Sequence, residues 1–327
     1  MSSKVLFLSA VFAATVLAET PRTVVLDVVI DNLVNYRFDV ADALKRGVVP
    51  TRVDPIPDRA FLEFYSIGDI IQVNGKPAKG MWTNWGVVTG FSLNPSPGNA
   101  VANIETGAPL FCNLTFYTDK GAFVGALFDG GGGAGTSATA HAITGGSGVF
   151  VGARGQKQGG TQPDPTRPVI RRASAAEDPA QRHTLGGGSH RFLVHLIPSI
   201  YPEIVSTPDG PGVFHAEDFS LVTQAKPAHS GETLIIRARN LGFTTPNVPL
   251  GQPFPAWPGN SSPEVNADVD VTFNGAPGEV YYKIGWPGEV GIYRVDLRVP
   301  SGVSPGMANV QLTAGWVPSE VVRIPVQ

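Results

Sequence analysis

The first residues that could do chemistry are carboxylates at alternate positions of an apolar segment. In 23–31, Val24, Leu26, Val28 and Ile30 fall on one face of a strand, and Val25, Asp27, Val29 and Asp31 on the other. Phe61, Glu63 and Tyr65 likewise share a face. If those faces line an enclosed barrel, carboxylates and a phenol project into it, where burial raises carboxylate pKa values and suits acid/base work. If they face water they carry no chemistry. The segment 149–156 adds a cation: Phe150, Gly152, Arg154 and Gln156 alternate on one side of it. Inside a barrel the permanent charge of Arg154 needs a carboxylate or a ligand anion, and Asp27, Glu63 and Asp69 are the candidate carboxylates.

Other chemistry-bearing types point to structure. Cys112 is the single cysteine, so an internal disulfide is excluded, as are zinc or iron–sulfur sites built on thiolates. It alternates with Leu114 and Phe116, which predicts a buried structural thiol. The six histidines show no H-E-x-x-H or other tight ligand spacing, so no metal site is expected. Gly130–Gly133 lacks the Lys-Ser/Thr of a phosphate loop and reads as a hairpin connection. Gly145-Gly146-Ser147-Gly148 is followed by Val149, which breaks the nucleophile-elbow spacing.

The elements that must position these residues are strands. The 39 Gly and 29 Pro make up about a fifth of the 327 residues, against an average near 12%. That composition argues against helical bundles and for short strands joined by Gly/Pro turns. The net charge of −3 gives no basic field for nucleic acid. Eight segments at 23–31, 61–67, 86–93, 111–119, 122–129, 137–144, 149–156 and 191–197 suggest a closed antiparallel barrel, with a helical turn or two at 40–46. Residues 157–190 interrupt the pattern with prolines, Gly pairs and arginines, and read as a flexible insertion. Seven further segments between 221 and 326 suggest an immunoglobulin-like β-sandwich. Among them 292–299 alternates cleanly, with Tyr293, Val295, Leu297 and Val299 on the apolar side.

At the start, Lys4 precedes an apolar run from Val5 to Leu17, and Val16 and Ala18 make a small-x-small cleavage site. This is the layout of a secretory signal peptide over 1–18, too short to span a bilayer. The expected location is exported: periplasm, cell surface or extracellular, with no membrane span after cleavage.

Two stretches resemble known families. Ala142-Ile143-Thr144-Gly145-Gly146-Ser147-Gly148-Val149-Phe150-Val151-Gly152-Ala153-Arg154-Gly155-Gln156 resembles the signature of the allene oxide cyclase and dirigent superfamily. Ser147 and Gln156 look like the cyclases, and Ala153-Arg154-Gly155 like the dirigent proteins. The resemblance covers residues 23–200 loosely and 142–156 sharply. It implies an eight-stranded antiparallel barrel, commonly a homotrimer, that binds a small hydrophobic molecule and steers its cyclisation or coupling with no cofactor. It maps the dirigent arginine onto Arg154 and expects acidic partners on other strands, with Asp27, Glu63 and Asp69 as candidates and Tyr65 and Phe150 beside the ligand. The insertion and the attached second region depart from the plant proteins.

The motifs Gly210-Pro211-Gly212-Val213-Phe214-His215, Ala225-Lys226-Pro227-Ala228-His229-Ser230-Gly231-Glu232, Asn240-Leu241-Gly242, Val271-Thr272-Phe273-Asn274-Gly275 and Gly291-Ile292-Tyr293-Arg294-Val295 resemble a carboxy-terminal domain of secreted soil-bacterial proteins. That resemblance implies an immunoglobulin-like module without catalysis, with His215 and His229 in structural roles. The resulting expectation is an all-β chain: signal peptide 1–18, barrel 19–200 with an insertion at 157–190, and sandwich 201–327. Its function is the binding of a small hydrophobic ligand in the barrel; whether that ligand is turned over is left open, and turnover would be cofactor-independent cyclisation, isomerisation or coupling. The alternative is a surface or matrix interaction protein with the barrel as scaffold.

Overall fold

The structure, a computed structural model, describes residues 22–37, 61–89, 108–133, 140–174, 177–256 and 262–327. The expected signal peptide and the helical turn at 40–46 lie outside the described residues.

Eight strands close into an antiparallel barrel. They are β1 (Val24–Arg37), β2 (Phe61–Val73), β3 (Lys76–Thr89), β4 (Ala108–Tyr117), β5 (Phe123–Gly133), β6 (His141–Gly148), β7 (Arg154–Gly159) and, after a short strand β8 (Arg171–Ser174), β9 (Gly188–Ile197). The order is β2-β3-β4-β5-β6-β7-β9-β1, and β1 pairs back onto β2, so no edge of the ring is left open. The apolar alternates win the interior: Leu26, Val28 and Ile30 of β1 are fully buried, as are Leu114, Phe116, Leu127, Val194 and Leu196.

Segment 149–156 differs from its reading as one strand. Val149–Ala153 form tight turns, closed by Phe150 N–H to Ser147 O and Ala153 N–H to Phe150 O, and β7 begins at Arg154. Gly148 sits at φ 63°, where a side chain would stand 2.3 Å from the Val124 carbonyl oxygen. The bare backbone there lets the chain turn back and aim Phe150 at the barrel end.

Residues 157–190, read as a flexible insertion, carry defined structure. β8 pairs in parallel with β1 over Val34–Arg37, on the edge that β9 covers from Val24 to Leu33. Arg167 reaches Asp31 at 2.6 Å, Arg171 reaches Glu177 at 2.6 Å and Arg182 reaches Asp69 at 2.5 Å.

Beyond β9 the chain forms further open sheets. One is built around Thr233–Arg239 and Ile292–Arg298, the other around Val269–Phe273 and Gly306–Ala314. Tyr293, Val295 and Leu297 are buried as their alternation predicts. On the other face Arg294 and Asp296 form a two-pronged ion pair at 2.6 Å. Glu232 ties two of the recurring motifs together, accepting from His229 N–H at 2.8 Å and pairing with His215 Nδ1.

This region packs on one end of the barrel. Trp316 stacks on Phe150, with centroids 6.3 Å apart and planes 3° apart, and meets Phe116 at 5.0 Å. Asn266 Nδ2 donates to Phe123 O at 2.8 Å, and Lys76 pairs with Asp270 at 3.1 Å.

Candidate functional site

The two ends of the barrel differ. The β2–β3, β4–β5 and β6–β7 turns lie at the end that Phe116, Phe150 and Trp316 close. The strand ends Arg37, Phe61, Thr89, Ala108, Gly133, His141, Gly159 and Gly188 all lie at the other. Polar side chains enter the lumen at that second end.

Strand register explains their convergence. Asn35, Ser66, Asn84, Cys112 and Asp129 are successive cross-strand partners from β1 to β5. His141 and Lys157 are partners on β6 and β7. All seven are buried. Cross-strand partners stand about 5 Å apart, so alternation on separate strands builds one polar belt.

Asp129 is the hub. It accepts from Lys157 Nζ at 2.8 and 2.9 Å on its two oxygens, and from His141 Nδ1 at 2.8 Å. Burial works to raise its carboxyl, but the hydrogen bond from His141 and the charge and hydrogen bond of Lys157 outweigh it and hold the group below the usual carboxylate range. An ionised carboxylate only accepts, so His141 carries a hydrogen on Nδ1 and donates it to Asp129, and Nε2 is its other ring nitrogen. That Nε2 is buried and has no hydrogen-bond partner, as are Trp82 Nε1, Asn84 Oδ1 and His190 Nδ1. Lys157 Nζ lies 4.6 Å from the Phe192 ring centroid and 5.5 Å from that of Trp82. Burial, then the charge of Lys157, pulls His190 down to about 4.

Cys112 Sγ lies 3.5 Å from His141 Nδ1, the nitrogen already given to Asp129. This is no nucleophile–base pair, and burial pushes the thiol up to about 12. Donor atoms of Cys112, Asp129 and His141 lie within 4.8 Å of one another, the reach of a metal-ligand set. Lys157 already holds both Asp129 oxygens, so that set would take an ion only with the ammonium withdrawn.

The residues singled out on the sequence are placed differently. Asp27 lies on the outer face and pairs with Arg191 at 3.2 Å. Asp69, also outward, is held by Arg182 and by Asn32 Nδ2 at 3.0 Å. Tyr65 is exposed on the outer wall, in register with Trp85. Arg154 is exposed and donates to the carbonyls of Gly152 and Ala153 at 3.3 and 2.9 Å. Phe150 is fully buried at the closed end. Glu63 occupies β2 opposite Val87, and its side chain lies outside the described part. The strands therefore do not bring Arg154, Asp27 and Asp69 together, because the apolar alternates of β1 take the lumen. An open depression of about 510 Å³, lined by Asp69, Lys79 and Asp119 among others, also lies on the outer wall, away from Lys157.

Sequence reasoning missed Asp129, His141 and Lys157. Two carried a readable signal: Asp129 shares its face with Leu127, and His141 with Ile143. Lys157 sits in the Gly-rich β7, where no apolar neighbour marks the inward face.

No protein-family model and no curated protein matches the chain. Two solved structures are similar to part of it. A pyocyanin demethylase is 19% identical, over 54% of this chain and 99% of its own, with a TM-score of 0.26. The pterocarpan synthase dirigent protein GePTS1 is 15% identical, over 58% of this chain and 97% of its own, with a TM-score of 0.28.

Proposed function

We propose that the barrel takes up a small, largely hydrophobic molecule through its polar end and steers a cyclisation or isomerisation of it without a cofactor. The observation that carries this reading is the set of four buried, unpartnered polar atoms, on Trp82, Asn84, His141 and His190, beside the Lys157–Asp129 pair. Each such atom costs roughly 1–3 kcal/mol when left unpaired, and a ligand's polar atoms would satisfy them. The apolar lining would hold the hydrocarbon body. Lys157 would stabilise negative charge developing on a ligand oxygen, and His141 Nε2 would accept or return a proton.

The test is native mass spectrometry of the protein after incubation with a hydrophobic extract, compared with His141→Phe. Retention of a small molecule by the wild type and its loss in the variant supports the reading. A wild type that retains nothing overturns it.

A second reading, an interaction protein with the barrel as scaffold, is favoured by the outer wall. Tyr65, Trp85 and Phe111 are exposed and in register across β2, β3 and β4. Loss of matrix or partner binding in Trp85→Ala, with no ligand in the lumen, would select it.

The remaining organisation is proposed on the sequence features. Residues 1–18 direct export, the sheets after residue 200 form an immunoglobulin-like module, and the barrel assembles as a homotrimer. Amino-terminal sequencing of the mature protein and its mass in solution test the first and last of these.

A further inference from the structure

We propose that Lys157 condenses with a small aldehyde or ketone, so that the barrel holds its ligand as a protonated imine with Asp129 as counter-ion. This rests on the ligand-binding reading above and deepens it to a ligand class and a bond.

The placement of the amine carries the argument. Lys157 projects inward from β7, and its Nζ is flanked by the Phe192 and Trp82 rings at 4.6 and 5.5 Å. Those rings are flat apolar walls for a conjugated carbonyl compound. Asp129 meets the same Nζ with both oxygens, and His141 Nδ1 meets Oδ1 of that carboxylate, with Nε2 unpartnered.

The step balances without any co-reactant. The lysine ammonium and the carbonyl compound give a protonated imine and one water: the C=O bond breaks, the C=N bond forms, and two ammonium hydrogens leave on the oxygen. Asp129, 2.8 and 2.9 Å from Nζ, takes one of them to free the nitrogen lone pair and returns it to the departing hydroxyl. That transfer neutralises both members of the pair and formation of the protonated imine restores both charges, so neither is left buried and unpaired. Acylation to a neutral amide would strand that carboxylate. This selects aldehydes and ketones over activated acids as the reacting class.

The experiment uses the full chain, trans-cinnamaldehyde as a flat apolar probe, and sodium cyanoborohydride to trap the imine. Peptide mass mapping is the readout. The expected result is one reduced cinnamyl adduct on Lys157, in excess over exposed Lys76, Lys79 and Lys226. It should be lost in Lys157→Arg, which keeps a cation beside Asp129 but cannot form an imine, and that variant should melt as the wild type does. Equal labelling of the exposed lysines, or an unchanged adduct in Lys157→Arg, overturns the proposal. Cinnamyl alcohol has no carbonyl and separates the two failures. If the alcohol is retained but the aldehyde gives no Lys157 adduct, the imine is overturned and ligand binding stands. If neither probe is retained, both readings are overturned.

Discussion

Lys157 and Asp129 face each other with Nζ 2.8 and 2.9 Å from the two carboxylate oxygens, and neither side chain is more than 1% exposed. Two opposite charges are thus shut inside a barrel whose other half is lined by Leu, Val, Ile and Phe. The pair tolerates burial because each member satisfies the other, and His141 takes a further position on the carboxylate.

Removing one member should therefore cost far more than removing both. Lys157→Met leaves Asp129 charged and buried, at about 3–5 kcal/mol of stability. The double variant Lys157→Met/Asp129→Leu should recover most of that loss. Urea denaturation of the three proteins checks the order.

The acid limb of stability should have two parts. His190 titrates near 4 when folded, against about 6.5 in an unfolded chain. As pH falls from 6.5 to 4 the unfolded state binds the proton first, so stability drops by up to roughly 3 kcal/mol across that window. Asp129 acts lower down: its depressed carboxyl contributes stability present above about pH 3.9 and lost as pH falls through its folded value. His190→Gln should flatten the upper limb and leave the lower one, as thermal melts between pH 7 and pH 3 will show.

Arg154→Ala should cost no more than about 0.5 kcal/mol, because the guanidinium is exposed and donates to its own loop. Retention of a lumen ligand should be unchanged. A clear fall in retention would move the site to the outer wall.

The segment before β9 should resist trypsin while its ion pairs hold. Asp69→Ala removes the partner of Arg182 and should speed cleavage there, with the global melting point nearly unchanged. Timed digestion with peptide mapping measures the ratio.

Trp316→Ala should destabilise the whole protein by roughly 3 kcal/mol, because its ring packs on Phe116 and Phe150 across the junction. Adding Phe150→Ala should cost less than the sum of the two single changes, since they share one contact.

The sequence made the strands legible wherever apolar alternation was clean and the ends were punctuated. Segment 292–299 was readable to within a residue, as the strand Ile292–Arg298. β2 and β3 were read short, although Asn74-Gly75, both at positive φ, is the turn that joins them. Their inner halves hold Gly68 and Gly80 where side chains would be expected. A side chain at Gly80 would stand 2.3 Å from the Thr115 carbonyl oxygen, so close backbone approach erased the pattern. The site was hidden differently. On β1 the eye follows the carboxylates, yet burial favours Leu26, Val28 and Ile30, and Asp27 is turned out to Arg191. The polar groups that do face inward, Asp129, His141 and Lys157, stand one per strand on β5, β6 and β7, and the pairing of those neighbouring strands joins them.

The stopper of Phe116, Phe150 and Trp316 gives the barrel a direction. On the proposed function, a barrel sealed at its base would admit and release a guest through one mouth, so the guest would leave in the reverse of the order in which it entered. A molecule with an apolar head and a polar tail would go in head first and bring the tail to Lys157. The distance from stopper to belt would then set the length of guest that fits.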